Sequence, residues 1–122
     1  MKLLAVTDHF VRKEHYEKCM EIFPGYELTT VYFGKEDRIY LRDVHHQIEH
    51  GGPDAFPIPE ELYTEIEDAE LLMTHICPIP GKLLRKAKKL RAILVNRGGL
   101  ENIDVATATE LGIPVINNPA HN

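Results

Sequence analysis

Short apolar runs alternate along the chain with longer segments in which apolar and charged residues are mixed. Such runs are typical of strands that are covered on both faces of a parallel sheet. The mixed segments have the apolar spacing of amphipathic helices. The predicted strands are Lys2 to Thr7, Tyr26 to Phe33, Ala69 to Thr74, Ala92 to Val95 and Pro114 to Ile116.

Helix signals come between the strands in the first half of the chain. An apolar stripe at Tyr16, Cys19, Met20 and Phe23 predicts a helix that Pro24-Gly25 ends. The pattern then weakens from Lys35 to Pro59, where we expect an irregular connection with a short helix around Arg38 to His50.

Three more helices are expected in the second half. Pro59 is a favourable first residue for one helix, and the acidic residues that follow it suit the positive end of the helix dipole. A stripe at Leu83, Leu84, Ala87 and Leu90 predicts another, with the basic residues from Lys82 to Arg91 on its outer face. Asp104 is the expected cap of a helix that runs to Leu111 and stops at Gly112.

Strands that alternate with helices indicate repeated right-handed βαβ units. The predicted fold class is therefore α/β, a flavodoxin-like doubly wound parallel sheet of five strands in the order 2-1-3-4-5, with helices on both faces. A chain of 122 residues is expected to form one domain.

Composition narrows the class of protein. The chain has 43% hydrophobic and 27% charged residues, which is ordinary for a globular domain. Its longest apolar runs are far below the ~18 residues of a membrane span. A net charge of −5 argues against nucleic acid as a partner. Two cysteines are too few for a secreted disulfide framework, and we expect a cytoplasmic protein.

Candidate chemistry follows from the sheet, because ligands bind beyond the carboxyl ends of parallel strands. The segments that meet there are Thr7-Asp8-His9, Thr74 to Pro80, and Asn96 to Gly99. Adjacent glycines at Gly98 and Gly99 can take positive φ and turn their amides toward an anion, and Arg97 adds a charge that suits a carboxylate. The alternative is that the glycine pair only forms a tight turn.

A longer stretch around these glycines carries a family resemblance. The stretch runs from Leu90 to Asn122 and has two characteristic segments, Leu90 to Asp104 and Ala106 to Pro119. The first segment contains Asn96-Arg97-Gly98-Gly99-Leu100-Glu101-Asn102. This part of the chain resembles the substrate-binding domain of the D-2-hydroxyacid dehydrogenases, a family that includes phosphoglycerate, D-lactate and glyoxylate/hydroxypyruvate dehydrogenases. The Gly98-Gly99 pair is a variant of the family's loop, and the side chain of the substrate is left open.

The resemblance implies a site and its limits. Backbone amides of Arg97, Gly98 and Gly99 would hold the carboxylate of a small 2-hydroxy or 2-oxo acid, and His75 and Ile76 would line the cleft. The family's catalytic Arg, Glu and His match no position here, so no catalytic residue is expected in residues 1–122.

The resemblance also implies a partner domain. The segment Asn117 to Asn122 would lead into a crossover toward a separate domain that binds NAD or NADP, because the chain contains no G-x-G-x-x-G. We therefore expect a substrate-binding domain that is inactive alone. The family further implies a homodimer for the full-length protein.

Other residues admit two interpretations each. His45, His46 and His50 could bind a metal if helical, or form a polar surface, and we expect no metal site. Cys77 could be a thiol with a lowered pKa or a small apolar filler. Asp8 and His9 could reach the cleft.

Two polar residues near the end of the chain are read as structural. Asp104 is expected to cap a helix, and Asn102 to brace the loop that precedes it.

The alternative function is a stand-alone flavodoxin-like module that binds a small molecule or a partner. A single acid, Asp8, ends the first strand, where a receiver domain needs an acidic cluster for Mg²⁺. The segment Thr7 to Val11 lacks the Ser/Thr/Gly-rich loop that flavin mononucleotide requires. A nucleic-acid role for Lys82 to Arg91 is disfavoured by the acidic charge of the whole chain.

Overall fold

The computed structural model describes residues 1–118 and places the predicted strands in one sheet. The strands run in the order β2-β1-β3-β4-β5, and every neighbouring pair is parallel. This order confirms the flavodoxin-like prediction, and each observed strand lies within its predicted range. The strands are β1 (Lys2–Thr7), β2 (Glu27–Tyr32), β3 (Leu71–Thr74), β4 (Ala92–Val95) and β5 (Val115–Ile116).

Helices cover both faces of the sheet. They are α1 (Lys13–Cys19), α2 (Arg38–Gly51), α3 (Glu61–Glu65), α4 (Gly81–Leu84) and α5 (Val105–Glu110). Leu3 and Ala5 of β1 are buried with Tyr16 of α1 on one face. Leu4 and Val6 point to the opposite face and belong to the larger core with α2 to α5.

Capping residues fix the starts of α2 and α5. The carboxylate of Asp37 accepts hydrogen bonds from the amides of Ile39 and Tyr40 and starts α2. Asp104 accepts from the amide of Thr107 at 3.0 Å, which confirms it as the cap of α5. Gly112 has a φ of 73° just after this helix, as its expected stop signal requires.

Two helices are shorter than their apolar stripes predict. The first ends at Cys19 and the fourth at Leu84, and both continue as turns with i→i−3 hydrogen bonds, such as that from the Ala87 amide to the Leu84 carbonyl. The amide of Arg91 already bonds to Glu70 at the start of β4, so the chain must turn early. The side chains of Ala87 and Leu90 still pack on the core, which explains the misleading spacing.

The segment Asn117 to Asn122, predicted to lead into a crossover, lies from Pro119 onward outside the described residues.

Candidate functional site

Three loops meet at the carboxyl edge of the sheet, and a buried carboxylate joins two of them. Asp8 follows β1 and is only 2% exposed. One of its oxygens accepts hydrogen bonds from the amides of Phe10 and Val11, at 2.7 and 2.8 Å. The other lies 2.9 Å from Nδ1 of His75, which follows β3. Asp8 therefore fixes both the loop after β1 and the imidazole.

The protonation of this pair follows from its surroundings. Burial opposes ionisation of Asp8, but hydrogen bonds from His75 and from the backbone amides outweigh it and lower the pKa of the carboxyl. An ionised carboxylate accepts only, so the Nδ1 atom of His75 carries the shared proton. Its Nε2 atom has no hydrogen-bond partner within residues 1–118.

The loop after β4 presents a run of unpaired backbone donors. None of the amides from Arg97 to Leu100 donates a hydrogen bond to an atom of the part of the chain that is described. These residues are half-buried, at the edge where the sequence predicted the substrate carboxylate. Backbone amides without an acceptor are uncommon away from bulk water, so the loop is suited to receive an anion.

The Arg97 guanidinium is engaged within the loop. It is 12% exposed and lies 3.2 Å from Glu101 and 3.6 Å from Glu49. It also donates to Oδ1 of Asn102 at 3.4 Å. Two carboxylates thus offset the positive charge that the sequence suggested for a substrate. The side chain braces the loop, and the backbone is what the loop offers to a ligand.

The backbone of the glycine pair differs from the predicted one. Neither Gly98 nor Gly99 has a positive φ, so the expected use of left-handed backbone is wrong. The Glu101 carboxylate folds back against Gly99, so a Cβ atom there would displace the end of this exposed side chain. Asn117 donates to the carbonyl of Gly98 at 2.7 Å and holds the loop from its other side.

Asn102 ties this loop to the one after β3. Its side chain is fully buried, and its Nδ2 donates to the carbonyls of His75 and Cys77 at 3.2 and 2.9 Å. The same side chain accepts from Arg97, so both loops are held by one amide. The predicted bracing role is confirmed.

Two predicted cleft residues sit in the interior. Ile76 is only 3% exposed, and this small exposed part of its side chain lines a cavity. Burial raises the pKa of the Cys77 thiol well above its usual value, and its sulfur lies near the carbonyl of Pro78. Cys77 is therefore an interior filler, and the low-pKa alternative is wrong.

Three other histidines contact neighbouring side chains. His9 pairs with Glu36 and stacks edge-on with Phe10. His46 and His50 are neighbours on α2, with ring centroids 4.2 Å apart. No cluster of three side chains suited to a metal ion occurs among residues 1–118.

The site is a groove of two compartments, which share His45 and His75. The cradle compartment, about 440 Å³, is lined also by Arg97, Gly98, Gly99, Glu49 and Glu101. The arginine compartment, about 390 Å³, is lined also by Phe10, Arg38, Leu41, Arg42 and Ile76. Both volumes are in the range of small-ligand sites.

Sequence reasoning missed the wall that α2 contributes. Arg38, Arg42, His45 and Glu49 recur at i, i+4, i+7 and i+11 and so share one face of the helix. This spacing is the feature of the sequence from which a polar face of α2 could have been predicted. Burial and the neighbouring Arg97 guanidinium lower the pKa of His45, and they outweigh the opposite effect of the Glu49 carboxylate, which lies 3.1 Å from its Nε2 atom.

Membrane insertion has no support in the described helices. None of them combines the length and the apolar character that a membrane-spanning helix needs.

Comparison with solved structures agrees with the fold. The chain superimposes over its whole length on 32% of apo D-lactate dehydrogenase from Escherichia coli, with a TM-score of 0.63 and 20% identity. It also matches 31% of an NAD-dependent formate dehydrogenase from Staphylococcus aureus, with a TM-score of 0.61 and 16% identity over 96% of the chain. At these identities the likeness shows the fold.

Sequence comparison identifies the family. A hydroxypyruvate reductase from Blautia hydrogenotrophica is 37% identical over 62 residues, which are 51% of this chain and 19% of that protein. A D-3-phosphoglycerate dehydrogenase from Methanocaldococcus jannaschii is 41% identical over 61 residues, or 49% of this chain and 12% of that protein. The chain thus spans less than a fifth of the length of these relatives. The model of the D-isomer specific 2-hydroxyacid dehydrogenase catalytic domain matches residues 27–122, and the chain belongs to this family.

Proposed function

We propose that this chain is the substrate-binding domain of an NAD(P)-dependent D-2-hydroxyacid dehydrogenase. In such enzymes the nicotinamide exchanges a hydride with the 2-carbon of a 2-hydroxy or 2-oxo acid. The 122 residues contain no G-x-G-x-x-G, so we place the dinucleotide on residues outside them and expect the chain alone to be inactive. Its own task is to bind and orient the acid.

The observation that carries the proposal is the run of unpaired amides from Arg97 to Leu100. A carboxylate that accepts two or more of these N–H groups gains charge-assisted hydrogen bonds without the approach of a positive side chain. The loop is already fixed by Asn102 and Asn117, so it loses little conformational entropy when a ligand binds.

His75 supplies the second polar contact. Because Asp8 fixes Nδ1 of its ring, Nε2 is held at a set orientation in the wall common to both compartments. We assign it to the hydroxyl or keto oxygen at the 2-carbon or to the carboxylate beside it. Ile76 closes the apolar side of the same wall.

The test is steady-state kinetics of the whole natural protein that contains this chain. Gly98→Val crowds the cradle, and we expect KM for the 2-hydroxy acid to rise by about tenfold or more through the loss of charge-assisted hydrogen bonds. The protein should remain folded by circular dichroism.

A matched control is Gly112→Ala. This glycine has positive φ and nothing within 4 Å of the added carbon, so the change strains the backbone away from the groove. It should lower the melting temperature and leave KM unchanged. An unchanged KM in Gly98→Val would overturn the cradle, and a protein that turns over no 2-hydroxy or 2-oxo acid would overturn the proposed function.

A further inference from the structure

Two histidines near the end of α2 take no part in the groove. His46 and His50 are exposed, and neither lines the cradle compartment or the arginine compartment. They are four residues apart, so both lie on one face of the helix, one turn from each other. Their ring centroids are 4.2 Å apart. The two imidazoles are therefore neighbours on a surface that is open to solvent.

The ring nitrogens of this pair are free. Within residues 1–118, neither His46 nor His50 forms a hydrogen bond or an ion pair. The other described histidines each have one ring nitrogen beside a carboxylate or a backbone amide. These pairs are His9 with Glu36, His15 with Arg12, His45 with Glu49, and His75 with Asp8.

Two free imidazoles one helical turn apart form a chelating pair for a transition-metal ion. Neutral imidazole is a good ligand for Zn²⁺, Ni²⁺ and Cu²⁺, whereas Mg²⁺ and Ca²⁺ take oxygen ligands. A pair of protein ligands leaves coordination positions for water. The result is an open site, unlike the closed four-ligand centres that hold structural zinc.

The charge around the pair favours a cation. His50 is in the last turn of α2, where the unpaired carbonyl groups form the negative end of the helix dipole. Asp43 lies on the same face, three residues before His46, and has no ion pair within residues 1–118. A bound divalent ion gains from both contributions.

The pair also encloses a glutamate. The sequence His46-Gln47-Ile48-Glu49-His50 has the H-x-x-E-H spacing of one class of metalloproteases, in which the glutamate acts as a general base. Here the Glu49 carboxylate is turned toward the groove, 3.1 Å from Nε2 of His45 and 3.6 Å from Arg97. The histidine pair is thus left without a base, which favours ion binding over hydrolysis.

We propose that His46 and His50 chelate one divalent transition-metal ion of the Zn²⁺ class, with water in the remaining positions. The site lies outside the groove and does not depend on the proposed function. It replaces the expectation of no metal site, because two ligands suffice for an open site. An ion held across the last turn of α2 opposes its unwinding and so stabilises the end of a helix that lines the groove.

The test is isothermal titration of the whole natural protein with Zn²⁺, alone and in the presence of Mg²⁺. The variants are His46→Ala, His50→Ala and the double variant, all of which change exposed side chains. One control is Gln47→Ala, an exposed residue between the two histidines. The other is His15→Ala on α1, where Cys19 lies one turn away and its thiol donates to a backbone carbonyl.

We expect the double variant to bind one Zn²⁺ fewer than the original protein. Each single variant should weaken binding at this site by about 100-fold or more, because the second ligand of a chelate acts at a high effective concentration. Both controls should keep the ion, and Mg²⁺ should not displace it. Circular dichroism checks that every variant is folded.

Three calorimetric results would overturn the inference. They are an equal number of Zn²⁺ ions in the double variant and the original protein, a loss in only one of the two single variants, and displacement of the ion by Mg²⁺. Amide hydrogen exchange is a second measurement that needs no variant. Zn²⁺ should slow exchange in the last turn of α2, and unchanged exchange there would also overturn the inference.

Discussion

Asn102 is the side chain on which the geometry of the groove depends most, and its removal gives a quantitative prediction. The change Asn102→Ala takes a donor away from the carbonyls of His75 and Cys77 and an acceptor away from Arg97. The site is fully buried, so water cannot replace these contacts without opening the loops. Each unsatisfied group costs about 1–3 kcal/mol.

The Cys77 carbonyl keeps a hydrogen bond from the Thr74 hydroxyl at 3.2 Å, so the full cost falls on the His75 carbonyl. With the weakened contacts of Cys77 and Arg97, the change should lower the free energy of unfolding by about 2–4 kcal/mol. That is a large share of the ~5–15 kcal/mol that holds a domain together. The isosteric change Asn102→Asp preserves the volume, removes both donors and places a buried carboxylate against the two carbonyl oxygens, so it should cost at least as much. It separates the lost hydrogen bonds from the cavity that alanine leaves.

Urea unfolding followed by circular dichroism measures the effect. The control is Gln47→Ala, an exposed amide on α2 that should shift stability by no more than about 0.5 kcal/mol. If Asn102→Asp unfolds at the same urea concentration as this control, the amide does not hold the two loops together and the reasoning is refuted.

Three further changes test other parts of the framework. Tyr16→Phe removes a hydroxyl that donates to a β1 carbonyl and accepts from Asn96, so it should cost about 1–3 kcal/mol in urea unfolding; burial also raises the pKa of Tyr16, which should be the last tyrosine to ionise in an absorbance titration. Because the pKa of Asp8 is lowered in the fold, its ionised form stabilises the protein above about pH 4, and this contribution is lost as the pH falls further. The change Asp8→Asn should therefore make the loss of stability at acid pH less steep. A loss as steep as in the original protein would contradict this. Asp104→Ala should cost about 1 kcal/mol by loss of the helix cap, and an unchanged melting temperature would rule the cap out.

The strand order could be predicted because each strand is a short apolar run and because βαβ units have one favoured hand. Helix ends were harder to predict. Leu83 to Leu90 keeps an apolar stripe although the helix stops at Leu84, since side chains in a turn can pack on the same core. An apolar stripe in the sequence indicates which side chains are buried. It does not show whether the backbone of the same residues forms helical hydrogen bonds.

The site could be predicted only in part, because the sequence shows where the strands end but not how the helices pack over the sheet. The loop from Arg97 to Gly99 and the position of His75 follow from where parallel strands end. The pairing of Arg97 with Glu49 does not, because it depends on how α2 packs over the sheet. The positions of Arg38 and Arg42 beside the groove could not be predicted either, because the sequence alone does not show where α2 packs.

The central claim is that backbone amides of this chain bind a carboxylate, and an amide-resolved NMR titration tests it most directly. Glycolate is compared with glycolamide, which has the same shape and no charge. We expect saturable shifts of the amide signals from Arg97 to Leu100 with glycolate and far smaller shifts with glycolamide. Equal shifts for both compounds, or shifts confined to residues away from this loop, would contradict it.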